Sequence, residues 1–172
     1  MDGRLMIPMG IDLSLTSTGV SCQNILSCIN SPNKGIPRLI DISEQLTEMI
    51  EQIDGPIVGI IEGYSFASRN SQAHSLGELG GVIRTMLFKR SIPWVNVPPT
   101  VRAKFATGRG NAAKTEVMSA VSARTGLVFS GKGADDMCDA WILEEIGLVK
   151  YGTPRSSWPE ANLRALDKIE WT

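Results

Sequence analysis

Two carboxylates each stand at the end of a short apolar segment. Asp12 lies within GIDLSLTSTGV, residues 10–20, and Glu62 directly follows IVGII, residues 57–61. A carboxylate behind a buried strand is costly to bury unless something pairs with it. If the two strands are neighbours, both carboxylates emerge at the same edge of a sheet. The Ser, Thr and Gly residues after Asp12 leave room for a phosphate or a metal ion, although an ordinary hairpin turn is the alternative interpretation.

A third acidic group lies in GADDMCDAWILEE, residues 133–145. Asp136 and Asp139 are three positions apart, so a helix would place them on one face. The apolar residues between and after them would pack that face against the sheet. Asp135 is the runner-up for the same role, because acidic residues also favour the start of a helix as caps.

Four carboxylates from three elements repel one another unless cations neutralise them. Oxygen ligands suit Mg²⁺ or Mn²⁺, and two such ions about 4 Å apart would activate a water and stabilise the leaving oxygen of a phosphodiester. The only histidine is His74, and Cys22, Cys28 and Cys138 have no C-x-x-C spacing. Zinc is therefore not expected, and we place His74 outside the site.

The formal net charge is −1, but the charges are unevenly distributed. Between residues 84 and 114 there is no Asp or Glu, and the basic residues there are Arg84, Lys89, Arg90, Arg102, Lys104, Arg109 and Lys114. A chain that is neutral overall can in this way present one basic surface to a nucleic acid. Chance clustering on a solvated face is the alternative.

The 172 residues predict one domain, with residues 1–8 as a loose arm and residues 151–172 as a tail packed on the body. No apolar run reaches the roughly 20 residues that a membrane span requires. Residues 1–10 lack the apolar region of a signal peptide. The three cysteines are expected to be reduced thiols of a cytoplasmic protein.

Hydrophobic periodicity and breakers predict an α/β fold with a mixed sheet. Ser31–Pro37 is read as a loop, and IVGII as a central strand buried on both faces. Glycines 77, 80 and 81 within one helix indicate close approach of another backbone, either in a dimer or against the sheet. The predicted strands cover residues 9–13, 20–29, 57–61 and 94–97, and the predicted helices residues 39–53, 72–89, 112–125 and 134–149.

The order GIDLSLTSTGV, IIEG, GRGNAAKTEV and DDMCDAW resembles the RuvC family of Holliday-junction resolvases over residues 9–146. The resemblance implies a ribonuclease H-like fold, with a mixed five-stranded sheet flanked by helices. It also implies a homodimer that binds four-way junctions and makes paired, metal-dependent nicks leaving 5′-phosphates. The residues that match the family's catalytic and metal-binding positions are Asp12, Glu62, Lys114, Asp136 and Asp139, with Ala140 completing its D-x-x-D-A motif.

The same resemblance assigns phosphate contacts to the basic segment. Ser65 stands where the family has an aromatic wedge, so its neighbours are only candidates for stacking on a base. The tail and the short length look more like the bacteriophage branch of the family, which cuts branched DNA such as forks more broadly. The expected location is then the cytoplasm of a bacterial cell or of an infected host. The expected DNA-binding residues are Tyr64, Phe66, Arg69, Arg102, Lys104, Arg109 and Lys114.

Three other functions stay open at this point. A ribonuclease H-like nuclease acting on RNA hybrids or flaps would use the same carboxylates. A branched-DNA binder without catalysis would leave those carboxylates unexplained. An ATP-binding domain of the actin and sugar-kinase type shares the first loop, but the chain has no second D-x-G loop and is too short for two lobes.

Overall fold

The computed structural model describes residues 5–63 and 71–172. Five strands form one mixed sheet in the order β3-β2-β1-β4-β5. The first three form an antiparallel meander, whereas β4 runs parallel to both β1 and β5. The strands are β1 (Ile7–Asp12), β2 (Thr18–Cys22), β3 (Ile25–Ile29), β4 (Ile57–Glu62) and β5 (Trp94–Val97).

Helices cover both faces of this sheet, which confirms the predicted α/β fold with five strands. They are α1 (Gly35–Glu51), α2 (Ser71–Lys89), α3 (Pro99–Thr107), α4 (Lys114–Thr125), α5 (Ala134–Tyr151) and α6 (Glu160–Leu163), followed by a 3₁₀ helix, Arg164–Lys168. Within the described ranges, no helix is long and apolar enough to cross a bilayer.

Side-chain alternation along the central strands builds two cores. Met9 and Ile11 of β1 pack with α1 and α2 on one face, together with Ile61 of β4. Val58 and Ile60 of β4 pack on the other face, with α3, α4, α5 and the segment after α5. Strand β4 therefore feeds both cores, which confirms the prediction of a strand buried on both faces.

Several boundaries differ from the predictions by a few residues, and those of β1 and α1 change the predicted arm and loop. Strand β1 begins at Ile7, so the N-terminal arm is shorter than residues 1–8. Helix α1 begins at Gly35, so the second half of the predicted loop 31–37 is helical. Pro37 lies in the first turn of α1, where the missing backbone N–H would have had no partner within the helix.

Helix α3 was not predicted at all. It follows Pro98 directly, and Pro99 occupies the first helical position, which is a known helix-start signal. Its residues Val101 to Ala103, Phe105 and Ala106 are buried, so they show no amphipathic period. Enclosure of a short helix on most of its surface removes the pattern by which helices are recognised in a sequence.

Candidate active site

The register of the sheet places Asp12 and Glu62 side by side. Ile11 of β1 lies opposite Ile61 of the parallel strand β4, so the next residue of each strand continues that pairing. Alternation sends both carboxylates to the face occupied by α5, because side chains two positions apart share a face. Asp12 and Glu62 therefore lie together at one edge of the sheet, as expected.

Two glycines let α5 approach the sheet at backbone distance. A Cβ at Gly10 would clash with the carbonyl oxygen of Ala140, and one at Gly19 would lie 2.6 Å from the carbonyl carbon of Asp136. Because only glycine leaves this space, the start of α5 lies directly on β1 and β2. Asp136 and Asp139 are thereby brought to the edge where Asp12 ends its strand.

Burial and mutual repulsion perturb these acids. Asp12 is 8% exposed and Asp139 3% exposed. Burial, followed by repulsion from Glu62 and Asp139, raises the pKa of Asp12 well above its usual range. Burial also raises the pKa of Asp139 to about 7, although the Arg102 guanidinium opposes that rise. The pKa of Asp136 is raised by burial and by a neighbouring carboxylate, so both burial and mutual repulsion oppose ionisation of the cluster.

Arg102, which was predicted as a phosphate contact, is buried beside the carboxylates. It is 7% exposed, and its guanidinium lies among the carboxylates. The Nε–H donates to Oε2 of Glu62, and Nη1 donates to Oδ1 of Asp139. The position of α3 explains this placement, since the helix lies beside the sheet edge and directs Arg102 inward. Arg102 is thus the residue of the site whose place the sequence reasoning missed.

The remaining basic residues of the segment are on the surface. Lys104 is exposed on α3. Arg109, in the loop between α3 and α4, is exposed and donates from Nη2 to Glu116 at 2.5 Å. Lys114 opens α4, and its Nζ lies 2.7 Å from Oδ2 of Asp135. The Lys114 ammonium lowers the pKa of Asp135 by that hydrogen bond.

The two candidate aspartates at the start of α5 therefore differ in environment. Asp135 turns to Lys114 and is the more exposed position, whereas Asp136 contributes to the repulsion that raises the pKa of Asp12. The geometry favours Asp136 over Asp135 as the member of the cluster. Tyr64, Phe66 and Arg69 lie outside the described residues.

The donor set fits a hard divalent cation. Four carboxylates supply only oxygen ligands, and no hydrogen bond from the described residues reaches the carboxylate of Asp12. As the side chains stand, no group of three or more acidic, His or Cys residues in the described ranges is arranged to hold one ion. Arg102 lies between two of the four carboxylates, so binding an ion to both requires that pairing to change.

Known proteins resemble this chain in sequence. A RuvC crossover junction endodeoxyribonuclease from Carboxydothermus hydrogenoformans is 30% identical over 150 residues, covering 87% of this chain and 93% of that protein. One from a Synechococcus species is 29% identical over 143 residues, covering 77% and 91%. No family model matches the chain.

Solved structures agree with the fold. Thermus thermophilus RuvC in complex with a Holliday junction substrate superposes with a TM-score of 0.66 at 20% identity, covering 90% of this chain and 99% of that one. A further T. thermophilus RuvC structure gives 0.61 at 19% identity. The ribonuclease H-like fold implied by the resemblance is thus confirmed. With its sequence relatives matched over nearly their full length, the chain belongs to the RuvC family of crossover junction endodeoxyribonucleases.

Proposed function

We propose that this protein is a metal-dependent endonuclease that resolves four-way DNA junctions by paired phosphodiester cuts leaving 5′-phosphates. The observation that carries the proposal is the convergence of Asp12, Glu62, Asp136 and Asp139 at one sheet edge. The curated relatives are named as crossover junction endodeoxyribonucleases, and their lengths are matched almost completely. Both lines of support point to hydrolysis of a DNA backbone.

We assign the carboxylates to two Mg²⁺ or Mn²⁺ ions. Asp12 would bridge the two ions, Glu62 and Asp139 would each hold one, and Asp136 would complete the ligand set. Ions bound there would supply an activated water and charge stabilisation for the leaving oxygen. The chain's own contribution is to hold the four carboxylates on two strand ends and on the first two turns of α5. The raised pKa values of Asp12 and Asp139 favour ion binding at neutral or higher pH, where the carboxylates lose their protons.

The DNA would be held by the exposed basic residues of α3, α4 and their connecting loop. Lys104, Arg109 and Lys114 lie close along the chain on this surface, which adjoins the carboxylates through the Lys114–Asp135 ion pair. Phosphate contacts of this kind bring affinity without sequence specificity and weaken steeply with salt. Tyr64, Phe66 and Arg69 remain proposed DNA contacts on sequence grounds.

Paired cuts in a two-fold symmetric junction require two sites, and we propose that a homodimer provides them. Helices α1 and α2 enclose an apolar groove lined by Ile36, Leu39, Val82 and Met86. A Cβ at Gly81 would meet nothing within 4 Å, so this face of α2 has room for a closely packed partner helix. Phe88 of α2 is 74% exposed, as expected for a residue that a second copy covers.

The decisive experiment incubates the protein with labelled four-way junction, fork, flap and linear duplex, in Mg²⁺, Mn²⁺ or EDTA. Symmetric, religatable nicks in the junction that disappear in EDTA are the expected result. Cutting of every branched form would extend the substrate range to branched DNA in general. Binding without cutting in either metal would refute the catalytic proposal.

The matched variant is Asp12→Asn, which keeps the shape of the side chain. It should abolish cutting and leave junction binding largely intact, because phosphate contacts supply the affinity. Cutting by this variant at the wild-type rate would show that Asp12 is not a metal ligand.

The proposed dimer is tested by light scattering during chromatography, which measures the mass of the protein in solution. A monomer that still makes paired cuts would refute the dimer.

We further propose a cytoplasmic location, in a bacterium or an infected host cell. The described structure supports this with three free thiols, Cys22, Cys28 and Cys138. Thiols of this kind persist in a reducing compartment. The test is localisation of a tagged full-length chain by fractionation.

A further inference from the structure

The guanidinium of Arg102 joins two carboxylates that come from different parts of the fold. Glu62 ends β4 and Asp139 lies in the second turn of α5, and Arg102 donates to both from different nitrogens. The Arg102 and Asp139 side chains are 9% and 5% exposed, so water weakens this pairing little. An arginine fork is suited to hold two carboxylates in a fixed relative position.

The backbone that carries Arg102 is held in place, because α3 packs against the segment after α5. The ring of Phe105 packs on Trp158 with centroids 4.2 Å apart. The side chain of Asn162 donates to the Phe105 carbonyl at 2.7 Å. The backbone that carries Arg102 is thus anchored to the segment after α5, and the movable part is the side chain itself.

Glu62 and Asp139 are also needed to bind metal. Our proposed function assigns Glu62 and Asp139 one metal ion each, and the inference that follows rests on that assignment. Among the described residues, no three acidic side chains are arranged to hold one metal ion. A guanidinium and a divalent cation that share the same ligands repel each other, since both are positive.

We propose that Arg102 is a positioning residue that acts as a built-in counter-cation. In the metal-free protein it holds Glu62 and Asp139 together and offsets their repulsion. It must withdraw from at least one of them when metal binds, so it lowers the affinity of the site for metal. The site is thereby kept assembled between catalytic cycles at the cost of weaker metal binding.

The test compares wild type with Arg102→Gln, which removes the charge and leaves a shorter polar side chain. Unfolding temperature is measured in EDTA, and Mg²⁺ binding is measured by titration calorimetry without DNA. The unfolding temperature of the metal-free variant should be lower by at least about 5 °C, because the buried Asp139 and the partly buried Glu62 lose their partner. It should bind Mg²⁺ at least about tenfold more tightly, because the competing cation is gone.

The control is Lys104→Gln, which removes one positive charge two residues away on the exposed side of the same helix. It should change neither quantity. Unchanged or weaker Mg²⁺ binding by Arg102→Gln would overturn the proposal, as would an unchanged unfolding temperature. If that variant does not fold, Arg102→Lys replaces it, since a lysine keeps the charge but not the fork. A single ammonium holds two carboxylates less firmly than the fork and withdraws more readily, so the lysine variant should bind Mg²⁺ more tightly than wild type although it keeps the charge. Binding equal to or weaker than wild type would overturn the proposal.

This outcome is separable from the proposed function. Wild-type protein that binds Mg²⁺ but cuts no junction would refute the nuclease and leave the calorimetric comparison decisive for Arg102. Cutting by wild type together with unaltered metal affinity in Arg102→Gln would refute only the role of Arg102.

Discussion

The metal-free protein should lose stability as the pH rises from 5 to 8, although most proteins are near their most stable in this range. The cause is the buried carboxyl of Asp139, whose pKa is raised from 3.8 to about 7 in the folded chain. Between these values the folded state keeps a proton that the unfolded state has lost. Stability therefore falls as the pH rises and levels off once the folded carboxyl has also ionised.

The size of the effect follows from linkage. Each pH unit over which the folded state binds one extra proton changes the free energy of unfolding by about 1.4 kcal/mol. From pH 5 to the Asp139 pKa of about 7, two such units give a loss of about 3 kcal/mol. The raised pKa values of Asp12 and Asp136 act in the same direction.

Urea unfolding in EDTA at pH 5, 6, 7 and 8 measures this directly. Asp139→Asn should flatten the curve, because the residue can no longer bind the extra proton. Asp135→Asn is the matched control on the same helix, since its pKa is lowered by Lys114 and it titrates below this window. A wild-type curve that is flat or rises between pH 5 and 8 would refute the reasoning. Mg²⁺ should stabilise the protein most at pH 8, where the carboxylates are ionised.

Two further perturbations test the geometry. Gly10→Ala should destabilise the protein by about 1–3 kcal/mol and impair cutting. The new methyl group collides with the backbone of α5 at Ala140 and displaces Asp139. Urea unfolding measures the stability, and a junction-cutting assay measures the activity. Lys114→Ala should weaken junction binding and lower the rate of cutting, and the slope of log affinity against log salt should decrease by about 1; titrations at several salt concentrations measure the slope.

Each of these changes has a control in the chain. Ser119→Ala changes an exposed position of α4 and should alter the free energy of unfolding by less than about 0.5 kcal/mol. A Gly10→Ala protein as stable as wild type would show that α5 does not lie at backbone distance. An unchanged rate of cutting by Lys114→Ala at low salt would return Lys114 to the role of an ordinary surface residue.

The carboxylates were predictable because each follows from a local pattern and one topological step. Asp12 and Glu62 end apolar strands, and adjacent parallel strands end at one edge. Asp136 and Asp139 needed only the helical repeat. The residues alone leave Asp135 and Asp136 both open, since both positions suit the start of a helix, and the resemblance to the family selects Asp136. The placement of Asp136 in the cluster could not be derived from the local pattern. It depends on the rotation of α5, which is fixed by contacts at Gly19 far away in the chain.

Arg102 could not be placed from the sequence for a different reason. Its neighbours carry positive charge, and a run of basic residues normally lies on a solvated face. Its burial depends on α3, which itself shows no amphipathic period, and on a ring contact between Phe105 and Trp158 that spans much of the chain. Contacts of this kind appear only once distant segments are assembled.

Two adjacent glutamates on α5, Glu144 and Glu145, are 2% and 0% exposed. Glu145 accepts hydrogen bonds from the Arg155 guanidinium, the Ser156 backbone and the Trp158 indole. Glu144 accepts another from Arg155. Residues 9–146, over which the motifs resemble the family, are therefore not a unit that can be produced on its own. A chain cut after residue 150 would remove these donors from Glu145, and a screen for shorter soluble fragments should find that the boundary lies beyond Trp158.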